Sequence, residues 1–177
     1  MKPRTSYLFI ILSAVFAFGL ASVFHFAYSW LGENFFAGLF FPINESVFEH
    51  LKLILYPLCI SWILFYRMID LPEHLNKYQI FTGIFISTWI CIWLVLSLYY
   101  ILSGGFEIEN DIINISSLLI GMLAGQFISC HILVRCRIPA WIGTICCFLL
   151  FIMGITFAYF TLYPLNIPIM IPPEGTT

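Results

Sequence analysis

Charge is what this chain has least of. Its 177 residues include seven Lys and Arg against nine Asp and Glu, 9% in all, with a formal net charge of −2. An average soluble domain carries about 25% charged residues. A water-solvated globule and a solvated disordered chain are therefore both excluded. A basic excess is also missing, so no nucleic-acid partner is expected, and anionic lipid has no polybasic patch to attract it. Paired cysteine motifs are missing too. Of six Cys, five (Cys59, Cys91, Cys130, Cys146 and Cys147) sit in apolar runs and Cys136 sits in a short basic connection, with no C-x-x-C. They read as small buried hydrophobes rather than a disulfide scaffold. Strict alternation of polar and apolar residues is absent as well, which excludes a membrane β-barrel.

What remains is apolar. Hydrophobic residues make up 62% of the chain and aromatics 19%, with 19 Phe, and the mean hydropathy is +1.01. A helix crosses a hydrocarbon core of about 30 Å with about 20 apolar residues. Five segments qualify, at 7–30, 47–67, 79–102, 112–134 and 138–162. The fold class that follows is all-α, a polytopic transmembrane helix bundle of about five spans in a lipid bilayer. Residues 1–163 form a single domain, and 164–177 a short Pro-rich tail. The first apolar run continues to Trp30, past the 7–15 residues or so of a secretory core, so it reads as an uncleaved span.

The connections orient the bundle. With five spans, Lys2, Arg4, Arg67, Lys77, Arg135 and Arg137 fall on one side, while Glu33, Glu107, Glu109 and Asp111 fall on the other with Lys52. The positive-inside rule then places the N-terminus in the cytoplasm and the C-terminus outside.

One stretch is rich in chemistry. Residues 31–56 read LGENFFAGLFFPINESVFEHLKLILY. Phe35 to Phe41 is apolar but too short to span, so it is expected as an interfacial or re-entrant piece. Pro42 breaks it, and a helix is expected to start near Asn44 or Ser46. At 100° per residue, Glu45, Ser46, Glu49, His50, Lys52 and Tyr56 fall on one arc, and Val47, Phe48, Leu51, Ile54 and Leu55 on the other. Part of this is ordinary helix chemistry. Ser46 to Glu49 is S-x-x-E, a capping box, and Glu49 and Lys52 are i,i+3 partners. The excess is the density of Glu45, Glu49, His50 and Lys52 in so apolar a chain, since ionisable residues facing a bundle interior are functional candidates.

Span one offers a matching stripe of Ser22, His25, Tyr28 and Ser29, and span four offers Asn114, Ser117, Gly121 and Gly125 on one face. An outward-opening polar pocket between spans one, two and four is expected, with His25, Tyr28, Asn44, Glu45, Ser46, Glu49, His50 and Lys52 as candidate residues. Two His and a carboxylate with an open position make a hydrolytic zinc arrangement. His25 and His50 with Glu49, or with Glu45 in its place, are the candidate metal ligands, although H-E-x-x-H is absent. Ser46 and His50, at i,i+4, offer a non-metal nucleophile and base. Gly121 and Gly125 form a G-x-x-x-G, which lets helices approach closely. Cys130, His131 and Cys136 cluster at the inner end of span four with a spacing that fits no standard zinc site, and His74 reads as a loop residue.

His25-Phe26-Ala27-Tyr28-Ser29-Trp30, followed by Asn44-Glu45-Ser46-Val47-Phe48-Glu49-His50-Leu51-Lys52, resembles the N-terminal signature of a family of small uncharacterised bacterial integral membrane proteins. Its pattern is H-F-x-Y-x-W, then N-E-S-x-W-E-H-x-K, and Phe48 stands where the pattern has Trp. The resemblance implies a bacterial cytoplasmic membrane and no particular activity.

Three functions compete on this reading. A structural or accessory membrane protein, associating through its helices as a homo- or hetero-oligomer, needs no site. A small-ligand or cation binding or transport protein would use the polar cluster. A metal-dependent hydrolase of the outer leaflet would use it with a divalent ion such as zinc. A carrier needs polar groups through the full depth, and the inner half supplies only Gln126, His131, Ser87 and Thr88.

Overall fold

The computed structural model describes residues 3–66, 78–108 and 110–173, with side chains from residue 8 onward. Lys2, Arg67, His74, Lys77 and Glu109 and the side chain of Arg4 lie outside the described residues, and with them four of the six basic residues behind the expected orientation. The described residues are helical, without strands. The elements are α1 (Pro3–Trp30), α2 (Phe35–Phe40), α3 (Val47–His50), α4 (Lys52–Tyr66), α5 (Gln79–Tyr100), α6 (Asp111–Arg135) and α7 (Ala140–Leu162). A π-helical turn, Ile101–Gly105, extends α5, and a 3-10 turn, Pro168–Met170, follows α7. Five helical stretches are long and apolar enough to cross a membrane: Leu8–Trp30, Val47–Phe65, Gln79–Gly105, Asp111–Arg135 and Ala140–Leu162. They coincide with the five segments read from hydropathy.

The second span is one helical run in two pieces that meet at a single turn residue. Ser46 caps α3, its Oγ accepting the Glu49 N–H at 3.3 Å. Leu51, itself right-handed α, leads directly into α4, whose Pro57 has no N–H to donate. This span carries the core: Leu53, Ile54, Leu55, Leu58 and Trp62 are buried. It is embraced by α1 on one side and α5 on the other.

Small residues set the closest packing. On α6, a β-carbon at Gly125 would fall 2.5 Å from the Ser87 carbonyl oxygen of α5, and one at Gly121 would fall 2.9 Å from Cys91 Sγ. The G-x-x-x-G is therefore an intrachain seam. Deeper in the bundle, Ser13 Oγ donates to Gln126 Oε1 at 2.9 Å, Gln126 Nε2 to Ser61 Oγ at 3.4 Å, and Ser61 Oγ to the Ser13 carbonyl at 2.7 Å. Trp62 Nε1 donates to Ser87 Oγ at 3.0 Å. Gln79 Nε2 donates to the Ile138 carbonyl. These polar groups satisfy one another and stitch α1, α4, α5 and α6 together.

After Trp30 the chain reverses. Gly32 has φ 77° and Glu33 φ 52°, and the Glu33 N–H donates back to the Tyr28 carbonyl at 3.0 Å. A left-handed residue here suits glycine, which has no β-carbon to clash. Asn34 then caps α2 by accepting the Ala37 N–H at 3.0 Å. The segment folds back beside the start of α4, where Tyr56 OH donates to the Leu39 carbonyl at 3.3 Å. Beyond α7, residues 164–170 return to α3, and Met170 is buried there.

Candidate metal centre

The polar stretch between α2 and α4 separates into two groups with different partners. The first is buried. Lys52, 0% exposed, and Glu49, 3% exposed, pair at 2.7 Å between Nζ and Oε2. Lys52 also donates to the Gly38 carbonyl at 2.7 Å and the Phe41 carbonyl at 3.3 Å. Glu49 Oε2 accepts the Ile43 N–H at 3.0 Å, and Oε1 accepts Thr161 Oγ1 at 2.7 Å. All three ammonium protons thus have acceptors, and both carboxylate oxygens have donors. That is the condition under which a buried ion pair is tolerated. The pair holds α2, the 41–43 loop, α3, α4 and α7 in one piece.

This arrangement explains an unusual cap. In a full capping box the Glu carboxylate reaches back to the N-cap N–H. Here the Ser46 N–H goes instead to Asn44 Oδ1, at 2.9 Å, which frees Glu49 for Lys52 and Thr161.

The second group opens outward. His25 on α1, His50 on α3 and Glu45 in the loop before α3 come together. Their side chains are 30%, 35% and 45% exposed. His50 Nε2 lies 3.3 Å from Glu45 Oε2, and His25 Nε2 lies 3.9 Å from Glu45 Oε1. The two imidazole centroids are 5.2 Å apart. One ligand atom from each of the three residues lies within 4.8 Å of the others. Donors at tetrahedral zinc, 2.0–2.1 Å from the ion, stand about 3.3 Å apart. The longest separation must therefore close by up to about 1.5 Å around an ion.

The tautomer of the neutral His50 ring follows from its other nitrogen. Nδ1 lies 2.9 Å from the Ser46 carbonyl oxygen. A carbonyl only accepts, so Nδ1 carries the proton and Nε2 keeps its lone pair in the neutral ring. Nε2 lies beside the Glu45 carboxylate. The Nδ1–H to carbonyl bond is also the outer-shell contact that orients ligating histidines. His25 lacks it: its Nδ1 is buried and makes no hydrogen bond.

Of the residues expected at one site, His25, Glu45 and His50 form this centre. Ser46 supports it through its carbonyl and Asn44 through the cap. Glu49 and Lys52 belong to the buried pair. Tyr28 OH donates to the Glu33 carbonyl at 3.2 Å. Asn114 is exposed on α6. Ser46 Oγ faces the Glu49 N–H as a cap. No other group of three or more His, Cys, Asp or Glu with converging ligand atoms occurs among the described residues, the Cys130, His131 and Cys136 stretch included. Thr161 was not legible as a partner of Glu49, because 112 residues separate them and a lone threonine on an apolar helix carries no pattern.

Comparison with known proteins adds a family without a chemistry. The model of a family described as a family of unknown function (DUF6512) matches residues 1–173. No curated protein and no solved structure matches the chain.

Proposed function

The chain belongs to this family of unknown function, and from that premise we propose that it is a membrane protein that binds a divalent transition-metal ion of the zinc class through His25, Glu45 and His50. One observation carries the reading: His25, Glu45 and His50 each bring a ligand atom within 4.8 Å of the others, and His50 donates through Nδ1 to the Ser46 carbonyl, which leaves Nε2 free to ligate. A cation among them balances the Glu45 carboxylate. Two imidazoles and one carboxylate suit zinc and its neighbours in the first transition row. Three protein ligands leave a coordination position open.

Binding is favoured over hydrolysis. A metal hydrolase needs a further group to take the proton of the attacking water. Glu49, the other carboxylate of this stretch, has both oxygens committed. A through-membrane carrier is disfavoured by the mutually satisfied Ser13, Ser61 and Gln126 groups below the centre. The membrane is proposed to be the bacterial cytoplasmic membrane, with the N-terminus inside and the metal centre at the outer face.

The test is the metal content of the detergent-purified protein beside His25→Ala, Glu45→Gln and His50→Ala. Near-stoichiometric zinc, lost in all three variants while each still elutes as a folded monodisperse species, is the expected result. A protein that takes up no zinc, cobalt or nickel at micromolar free ion overturns the reading. The cluster is then an imidazolium–carboxylate anchor, and a structural or accessory role stands, with the Glu49–Lys52 latch as its central feature.

A further inference from the structure

The metal centre lies at a particular depth. Helix α1 has 28 residues, or about 42 Å at 1.5 Å per residue. That matches the full thickness of a bilayer with its headgroups, about 40–45 Å. His25 is five residues before Trp30, about 7.5 Å from that end of the helix. A headgroup layer is about 5–7 Å deep on each face. With α1 upright and centred across the bilayer, the imidazole falls near the boundary between headgroups and hydrocarbon. His50 and Glu45, at the start of the second span, share that level.

The surroundings of the centre are apolar on the bilayer side. The His25 ring lies 4.8 Å from the Phe26 ring, and Phe26 stacks on Trp30 at 5.9 Å. Phe26 is 52% and Trp30 68% exposed. Helix α2, folded back to the same level, exposes Phe35, Phe36 and Phe40. Such aromatic residues seat at membrane interfaces. At this depth the abundant anionic oxygen is the phosphate of a phospholipid. An ion held by one carboxylate and two neutral imidazoles keeps a net positive charge to receive it.

Resting on the metal-binding reading, we propose that the open coordination position takes a phosphate oxygen of a membrane phospholipid, with the acyl chains lying along Phe26 and Trp30. The chain has no polybasic patch for a headgroup, and the ion supplies the charge instead.

The experiment uses the full-length protein loaded with Co2+ in a maltoside detergent, read by its d–d absorption. Phosphatidylglycerol is titrated in, beside inorganic phosphate at equal concentration and a phosphate-free glycolipid. The expected result is a saturable spectral change with the phospholipid, at a concentration at least tenfold below that needed with inorganic phosphate, and none with the glycolipid. Phe26→Ala, which removes an acyl-chain contact and no ligand, should keep the starting spectrum and raise the lipid midpoint severalfold. A cobalt spectrum indifferent to phospholipid, or one that responds equally to inorganic phosphate, overturns the lipid proposal alone. Absence of a protein-bound cobalt spectrum at the outset overturns the metal reading and this one with it.

Discussion

Lys52 Nζ donates to Glu49 Oε2 at 2.7 Å inside an apolar bundle, and neither side chain has appreciable access to solvent. Breaking such a pair strands the surviving charge, at a cost of about 3–5 kcal/mol. Lys52→Met is therefore expected to lower the thermal unfolding midpoint sharply in detergent. Adding Glu49→Gln should recover much of the loss, because the stranded carboxylate is gone. Thr161→Val removes one donor to Glu49 and should cost about 1.5–3 kcal/mol, the range for a hydrogen bond to a charged group. A double variant no more stable than Lys52→Met alone would show that the pair is not the latch described.

The α5–α6 seam makes a graded prediction. A methyl at Gly125 meets the Ser87 backbone, whereas one at Gly121 meets first the Cys91 side chain, with its backbone at 3.4 Å. Overpacking a fitted contact costs about 1–3 kcal/mol. Gly125→Ala should destabilise by the upper part of that range or more, and Gly121→Ala by less. Equal effects in thermal unfolding would contradict the contact geometry.

Metal affinity should respond to the cap as well as to the ligands. Ser46→Ala removes the hydroxyl that holds the first turn of α3, at about 1 kcal/mol for a lost N-cap. The Ser46 carbonyl, which orients His50, remains but is held less firmly. Zinc affinity measured by competition with a chelator should fall by about tenfold, toward the lower end of second-shell effects. Loss as complete as in His50→Ala would make Ser46 a ligand rather than a support. Acidification should release the ion in every variant that binds it, since protons compete for imidazole.

Orientation can be read from a native thiol. Cys136, in the connection between α6 and α7, is exposed, while the other cysteines are buried or half-buried within helices. With the N-terminus inside, five spans put Cys136 in the cytoplasm. A membrane-impermeant maleimide should label it only after cells are permeabilised, and Cys136→Ser should abolish that signal. Labelling of Cys136 in intact cells would reverse the assignment and turn the metal centre inward.

The five spans were legible because hydrocarbon imposes a length and a composition that need no tertiary information. The helix start at Ser46 and the Glu49–Lys52 pairing were legible because caps and i,i+3 pairs are local. The turn residue at Leu51 was not, since its backbone stays right-handed α and leucine carries no turn signal. Nor could the division of one polar arc into a buried latch and an open centre be read from the chain. Glu45 and Glu49 are equivalent on a helical wheel, but Glu45 lies in the loop before the helix. Which one meets the imidazoles depends on where α1 and α7 pack. Helix α1 brings His25 to Glu45, and α7 brings Thr161 to Glu49. The sequence determined which residues carry charge into the membrane. The packing of the helices, set by shape across more than a hundred residues, decided which of those charges neutralise each other and which stay available.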